Sequence, residues 1–156
     1  MNLRKTLTII TSSFFFVGYL PFIPGTFGSI AGVGLFYLLR MNQALYICGF
    51  LVVLCAGFLV GGQAEKIYAK KDPACVVIDE VTGMLLALAF LPFYNIVVVT
   101  VAFFFFRLLD TLKPYPAYRL QRLRGSAGIM VDDLIAGLYT NIILQVALRL
   151  AVFKAS

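Results

Sequence analysis

The chain has 156 residues, is 62% hydrophobic and 13% charged, and has a mean hydropathy of +0.96. A soluble domain of that length has too little interior to hide so much apolar surface, so the fold class is all-α, a polytopic membrane helix bundle forming one domain over residues 1–156. Continuous apolar runs exclude an outer-membrane barrel, and a net charge of +6 without a basic, aromatic-studded stripe excludes nucleic acid as a partner.

The first apolar stretch, residues 6–22, follows Arg4 and Lys5 and imitates a secretion signal, but no A-x-A site follows it and it is expected to be retained. It ends at Pro21 and Pro24 and reads as a re-entrant or interfacial helix rather than a span. About five membrane helices are expected, near 28–40, 43–62, 75–91, 94–112 and 129–152. Gly28 with Gly32, and Gly57 with Gly61, are small-residue pairs at the spacing that lets helices pack closely. Cys48, Cys55 and Cys75 lack any CxxC spacing and read as small apolar fillers.

Charge sorts the connections. Arg4 and Lys5, then Lys66, Lys70 and Lys71, then Lys113, Arg119, Arg122 and Arg124 fall on one side of such a bundle. Arg40, the turn Pro92-Phe93-Tyr94-Asn95 and Lys154 fall on the other. The positive-inside rule makes the first side cytoplasmic.

Five of the seven acidic residues lie within or at the ends of apolar runs: Asp79 and Glu80, Asp110, Asp132 and Asp133. Carboxylates at membrane depth are costly and face a bundle interior, a wet cavity or a cation. In the expected topology all three clusters reach the cytoplasmic end together, where they repel unless a cation neutralises them. Histidine is absent, which leaves an all-carboxylate donor set suited to Mg²⁺ or Mn²⁺. Asp79, Glu80, Asp132 and Asp133 are the expected metal ligands, with Asp132 or Asp110 as ligand or base.

Arg107 and Lys113 flank Asp110 at three-residue spacing, and Pro114 should unwind the helix at Lys113 and aim its ammonium at the membrane surface. Pro24 to Ser29 reads as an anion cradle opening a helix: Gly25 and Gly28 allow close backbone approach, and Thr26 and Ser29 donate hydroxyls. With Arg107 and Lys113 these are the expected substrate contacts. A carboxylate-held metal beside an anion cradle suggests phosphoryl chemistry on a lipid headgroup. A phosphohistidine route lacks its histidine, no cysteine is followed six residues later by arginine as a cysteinyl-phosphate loop requires, and no DxDxT stands in the chain.

Four motifs in order, PGTFGS, DPACVVIDEVTG, FFRLLDTLKPYP and GIMVDDLIAG, closely resemble the phosphatidylglycerophosphatase A family over about residues 20–140. The stretch Gly125-Ser126-Ala127-Gly128 departs from the more glycine-rich turn expected there. The resemblance implies an Mg²⁺-dependent enzyme of the bacterial inner membrane that removes the terminal phosphate of phosphatidylglycerophosphate to give phosphatidylglycerol. It also implies that Asp79, Glu80, Asp110, Asp132 and Asp133 are the acidic functional set, with Lys113 and the Thr26 turn near the phosphate. A membrane phospholipid is then the one partner, no protein partner being implied. Two other readings stay open: a CDP-alcohol phosphotransferase-like enzyme, whose DGxxAR…GxxxDxxxD spacing is missing, and a cation or proton transporter, which would want its acids at the midplane.

Overall fold

A computed structural model describes residues 3–155, and all regular structure among them is helical. The helices are α1 (Leu3–Ser12), α2 (Pro24–Leu39), α3 (Gln43–Tyr68), α4 (Ile78–Leu88), α5 (Ile96–Leu112), the single turn α6 (Ala117–Leu120) and α7 (Ser126–Ala155), with one 3-10 turn at Val17–Tyr19. Local signals fix several ends. Asn42 and Asn95 accept the Leu45 and Val98 amides at 3.1 and 2.8 Å and cap α3 and α5. Pro24 stands at the first position of α2, where its fixed φ suits a helix start and its missing amide costs nothing. The cradle at residues 24–29 is thus the first turn of α2 itself, and the helix expected from 28 begins four residues earlier.

Among the described residues, only α3 and α7, of 26 and 30 residues, are long and apolar enough to cross a bilayer by themselves. The 6–22 stretch is not one helix: α1 stops at Ser12, and Phe14, Phe15 and Phe16 take positive φ of 45°, 55° and 68°. Ten residues reach about 15 Å, half of a hydrocarbon core.

Helix α4 is the axis of the bundle. Nine of its eleven residues are buried, and it packs chiefly on α7 and α2, with α3 and α5 completing the ring. The pairs noted in sequence mark these crossings. A Cβ on Gly28 or Gly32 would come within 2.8 Å of Val77 Cβ or Met84 Cβ beside α4, and one on Gly57 would meet Met130 of α7. Phe36, Met84, Leu85, Leu88 and Phe106 form the apolar core, while Leu38, Leu59, Phe104 and Phe153 point outward, the pattern of a lipid-facing surface. Cys48 and Cys55 are exposed on the surface of α3.

One boundary differs from expectation with a clear cause. The helix expected over 75–91 ends at Leu88, among buried apolar residues, where its last carbonyls need internal donors. Side chains from α3, α7 and the 89–95 connection take them up. Tyr46 donates to the Leu85 carbonyl and Tyr94 to that of Leu88. Asn141 donates to the carbonyls of Ala87 and Ala89, and Gln145 to that of Phe90.

Candidate active site

The opposite end of α4 gathers the acidic residues. Asp79 and Glu80 occupy the first turn of α4, Asp132 and Asp133 the second turn of α7, and Asp110 the last turn of α5. One carboxylate oxygen each from Asp79, Glu80 and Asp133 all lie within 4.8 Å of one another. The crossing of α4 over α7 sets this spacing: Gly83 and Gly137 bring the backbones together so closely that a Cβ on Gly83 would stand 2.7 Å from the Asp133 carbonyl oxygen.

Charge balance around the cluster is incomplete. Arg107 Nη1 pairs with Asp110 Oδ2 at 2.8 Å, and Lys113 pairs with Asp132 Oδ2. Asp79 Oδ1, Glu80 Oε2, Asp132 Oδ1 and Asp133 Oδ2 are buried without a hydrogen-bond partner among the described residues. Buried carboxylate oxygens left alone cost several kcal/mol each, roughly, unless a cation or protons meet them. Converging oxygen donors with orphaned lone pairs fit a hard divalent cation such as Mg²⁺ or Mn²⁺. Asp79, Glu80 and Asp133 form the tight set, while Asp132 divides itself between Lys113 and an open oxygen.

Helix α5 ends where Pro114 requires, and Lys113 caps it at a φ of 46°. Its ammonium turns inward to Asp132 rather than to the membrane surface as expected, because a buried carboxylate holds it better than the interface does. Burial lowers the affinity of Lys113 for its proton. The Asp132 carboxylate bonded to it, with Asp110 and Asp133 behind, outweighs that and holds it above the usual lysine range.

The expected cradle narrows to two residues. Ser29 is buried and spends its hydroxyl on the Gly25 carbonyl at 3.0 Å, and Gly28 packs on Val77. A Cβ on Gly25 would collide with Oε1 of Glu80 and lie 3.3 Å from Arg107 Nη1, so the bare Gly25 backbone lies directly against the carboxylates and the guanidinium. The Gly25 amide and the Thr26 hydroxyl carry no hydrogen bond among the described residues, which leaves two donors unspent at the start of α2.

Sequence reasoning missed Asp72 and Glu65. Asp72 stands in the α3–α4 connection with a φ of 46°. Surrounding protein, then the Asp132 carboxylate, raises its carboxyl above the ordinary range, against the opposing pull of Lys113. Its lysine neighbours made it look like solvated loop, yet it opens the DPAC motif that runs straight into Asp79. Glu65 ties the two basic connections together, accepting the Asp72 amide at 3.3 Å and the Gly125 amide at 3.1 Å.

Comparison with known proteins adds a family. A model of the family described as phosphatidylglycerophosphatase A matches residues 10–148. A putative phosphatidylinositol-3-phosphatase of Bacteroides thetaiotaomicron is 34% identical across 94% of this chain and 97% of its own. The phosphatidylglycerophosphatases A of Escherichia coli and Haemophilus influenzae are each 35% identical over 77% of this chain, covering 71% and 76% of theirs. No solved structure matches.

Proposed function

The chain belongs to the phosphatidylglycerophosphatase A family, and from that premise we propose that it removes the terminal phosphate of phosphatidylglycerophosphate, giving phosphatidylglycerol, in an Mg²⁺-dependent reaction at the cytoplasmic face of a bacterial inner membrane. The observation that carries this reading is the meeting of the Asp79, Glu80 and Asp133 oxygens beside the unspent donors of Gly25, Thr26 and Arg107. A phosphomonoester needs both halves: something to neutralise its charge and something to hold its oxygens. Basic connections on the same side as the carboxylates support a cytoplasmic site, and the outward apolar side chains of α2, α3, α5 and α7 support a multi-pass arrangement. Helix α4 and the irregular residues 89–95 would together make a further crossing, with α1 lying at the interface.

Asp79, Glu80 and Asp133 would hold the cation, with the open Asp132 Oδ1 at the edge of the set. When bound, Mg²⁺ supplies positive charge for phosphate oxygens on which negative charge grows in the transition state. Arg107, the Gly25 amide and the Thr26 hydroxyl orient the phosphate for in-line attack. Asp132 Oδ1 accepts the proton of the attacking water as the new P–O bond forms; the bond to the glycerol oxygen breaks, and that oxygen takes up a proton from solvent water. Lys113, bonded to the other oxygen of Asp132, restrains its rotamer and sets a positive charge beside it.

The test is phosphate release from phosphatidylglycerophosphate in detergent, with Mg²⁺ or EDTA, for wild type and Asp79→Asn. Metal-dependent release that the substitution abolishes is the expected result. Phosphatidylinositol 3-phosphate belongs in the same assay because the Bacteroides relative carries that name, and preferential hydrolysis of it would reassign the substrate. Acid quenching during turnover of ³²P-labelled substrate separates direct water attack, which leaves the protein unlabelled, from an aspartyl-phosphate intermediate, which leaves ³²P on the protein.

A further inference from the structure

A groove of about 240 Å³ opens between α2 and α5, lined by Ile30, Val33 and Tyr37 on one side and Ile96, Val99 and Phe103 on the other. It is open to the flank of the bundle, since Ile30 is 51% exposed and Ile96 71%. Its walls are two helical stripes. Tyr37, Val33 and Ile30 continue at the same spacing into Thr26, and Ile96, Phe103 and their neighbour Thr100 continue into Arg107 and Asp110. The stripes converge at the carboxylate end, where Arg107 lies over Gly25. An apolar trough therefore runs into the two groups that face the phosphate.

We infer that this groove is the binding site for an acyl chain of the lipid substrate, with Arg107 at the junction between chain and headgroup. The inference rests on the lipid-phosphatase reading above and deepens it. Length supports the assignment. From Thr26 to Tyr37 the helix rises about 16 Å, and one leaflet's share of the hydrocarbon core is about 15 Å. A chain laid along the groove would end near the midplane while its phosphate sat at Thr26, Gly25 and Arg107. The other large apolar cavity, of about 320 Å³ between Tyr46, Phe50, Leu86 and Phe90, lies at the far end of α4 and has no such continuation.

The groove makes hydrolysis sensitive to acyl length, because each methylene withdrawn from an apolar site weakens transition-state binding. Val33→Trp fills the trough, while Leu38→Trp, on an outward position of the same helix that is 76% exposed, adds the same bulk to the bilayer-facing side only. Both are assayed with dioleoyl and dihexanoyl phosphatidylglycerophosphate. The expected result is that Val33→Trp lowers kcat/KM for the dioleoyl lipid by about tenfold or more, stays close to wild type on the dihexanoyl lipid, and differs in this from Leu38→Trp. Equal losses on both lipids, or equal behaviour of the two variants, would overturn the assignment.

A second readout needs no turnover. The chain has no tryptophan, so Phe103→Trp is a clean reporter in the wall of the groove. Phosphatidylglycerol with brominated chains, diluted in unbrominated phosphatidylcholine, should quench it more than brominated phosphatidylcholine at the same mole fraction. Equal quenching would mean bulk lipid only, and the groove would lose its ligand. If wild type hydrolyses neither chain length, the proposed substrate fails, and the quenching comparison alone then decides whether the groove selects the anionic lipid.

Discussion

Gly83→Ala tests the geometry of the site without touching a carboxylate. A methyl at Gly83 would sit 2.7 Å from the Asp133 carbonyl oxygen and 2.7 Å from Phe106 Cε2. One obstacle is backbone and the other a buried ring, so neither can swing aside. To reach the 3.4 Å at which ordinary contact begins, α4 and α7 must part locally by about 0.7 Å. That shift falls between Asp133 and the turn carrying Asp79 and Glu80, where three carboxylate oxygens lie within 4.8 Å of one another. Overpacking costs about 1–3 kcal/mol, and relief from glycine in a helix returns about 1. Net destabilisation is then about 1 kcal/mol, small enough to leave the protein folded. A displacement approaching 1 Å in a catalytic constellation, in contrast, costs about 10²-fold in rate. The assay is kcat for phosphate release across an Mg²⁺ titration, paired with thermal unfolding in the same detergent. Gly34→Ala serves as control, since a Cβ there meets nothing within 4 Å, and it should keep full activity with equal or higher stability. A folded Gly83→Ala protein with wild-type kcat and wild-type Mg²⁺ demand would refute the claim that this crossing sets the ligand spacing.

Three further substitutions probe separate parts of the structure. Lys113→Met strands the buried Asp132 carboxylate and should cost about 3 kcal/mol of stability together with activity. Adding Asp132→Asn should restore the stability and not the rate, and a double variant as unstable as the single one would deny the pair its role. Asn141→Leu leaves the Ala87 and Ala89 carbonyls unpaired in an apolar layer. Unfolding should become easier by about 2 kcal/mol while activity per folded molecule holds, and unchanged stability would show that α4 needs no cap there. Glu65→Gln weakens the tie between the Asp72 and Gly125 amides, at about 1 kcal/mol. Faster proteolysis within residues 69–77 or 113–125 is the expected sign, and unchanged cleavage rates would mean that the two connections are held by something else.

How much of this was legible in the sequence depended on how far away the deciding partner lies. Helix existence and most boundaries were readable because apolar runs, Asn caps and prolines act locally: α3 begins at 43 and α5 ends at 112, as their own residues dictate. The glycine pairs told which faces pack, since only a missing side chain lets backbones approach so closely. The end of α4 was illegible. Residues 89–91 are as apolar as those before them, and what stops the helix is Asn141 and Gln145, more than fifty residues later, with Tyr46 from α3. Asp72 was hidden for the opposite reason, a charged neighbourhood that looks like solvent-exposed loop while its field reaches Asp132.

The two ends of α4 can be compared by one rule, and the second departs from it at the proposed site. At the C-terminal end polar backbone groups stranded at depth receive donors from α3, the residue 89–95 connection and α7. At the N-terminal end Asp79 and Glu80 sit in the first turn, where the helix dipole favours negative charge, and Asp133 arrives from the beginning of α7. A dipole worth about 1 kcal/mol cannot offset the burial of several carboxylates. Yet Asp79, Glu80, Asp132 and Asp133 each keep one oxygen unpartnered, and these are the unsatisfied buried side-chain atoms among the described residues. A bundle that supplies a donor for every stranded carbonyl at one end of its central helix leaves four carboxylate oxygens open at the other, and that contrast is what the proposed cation would resolve.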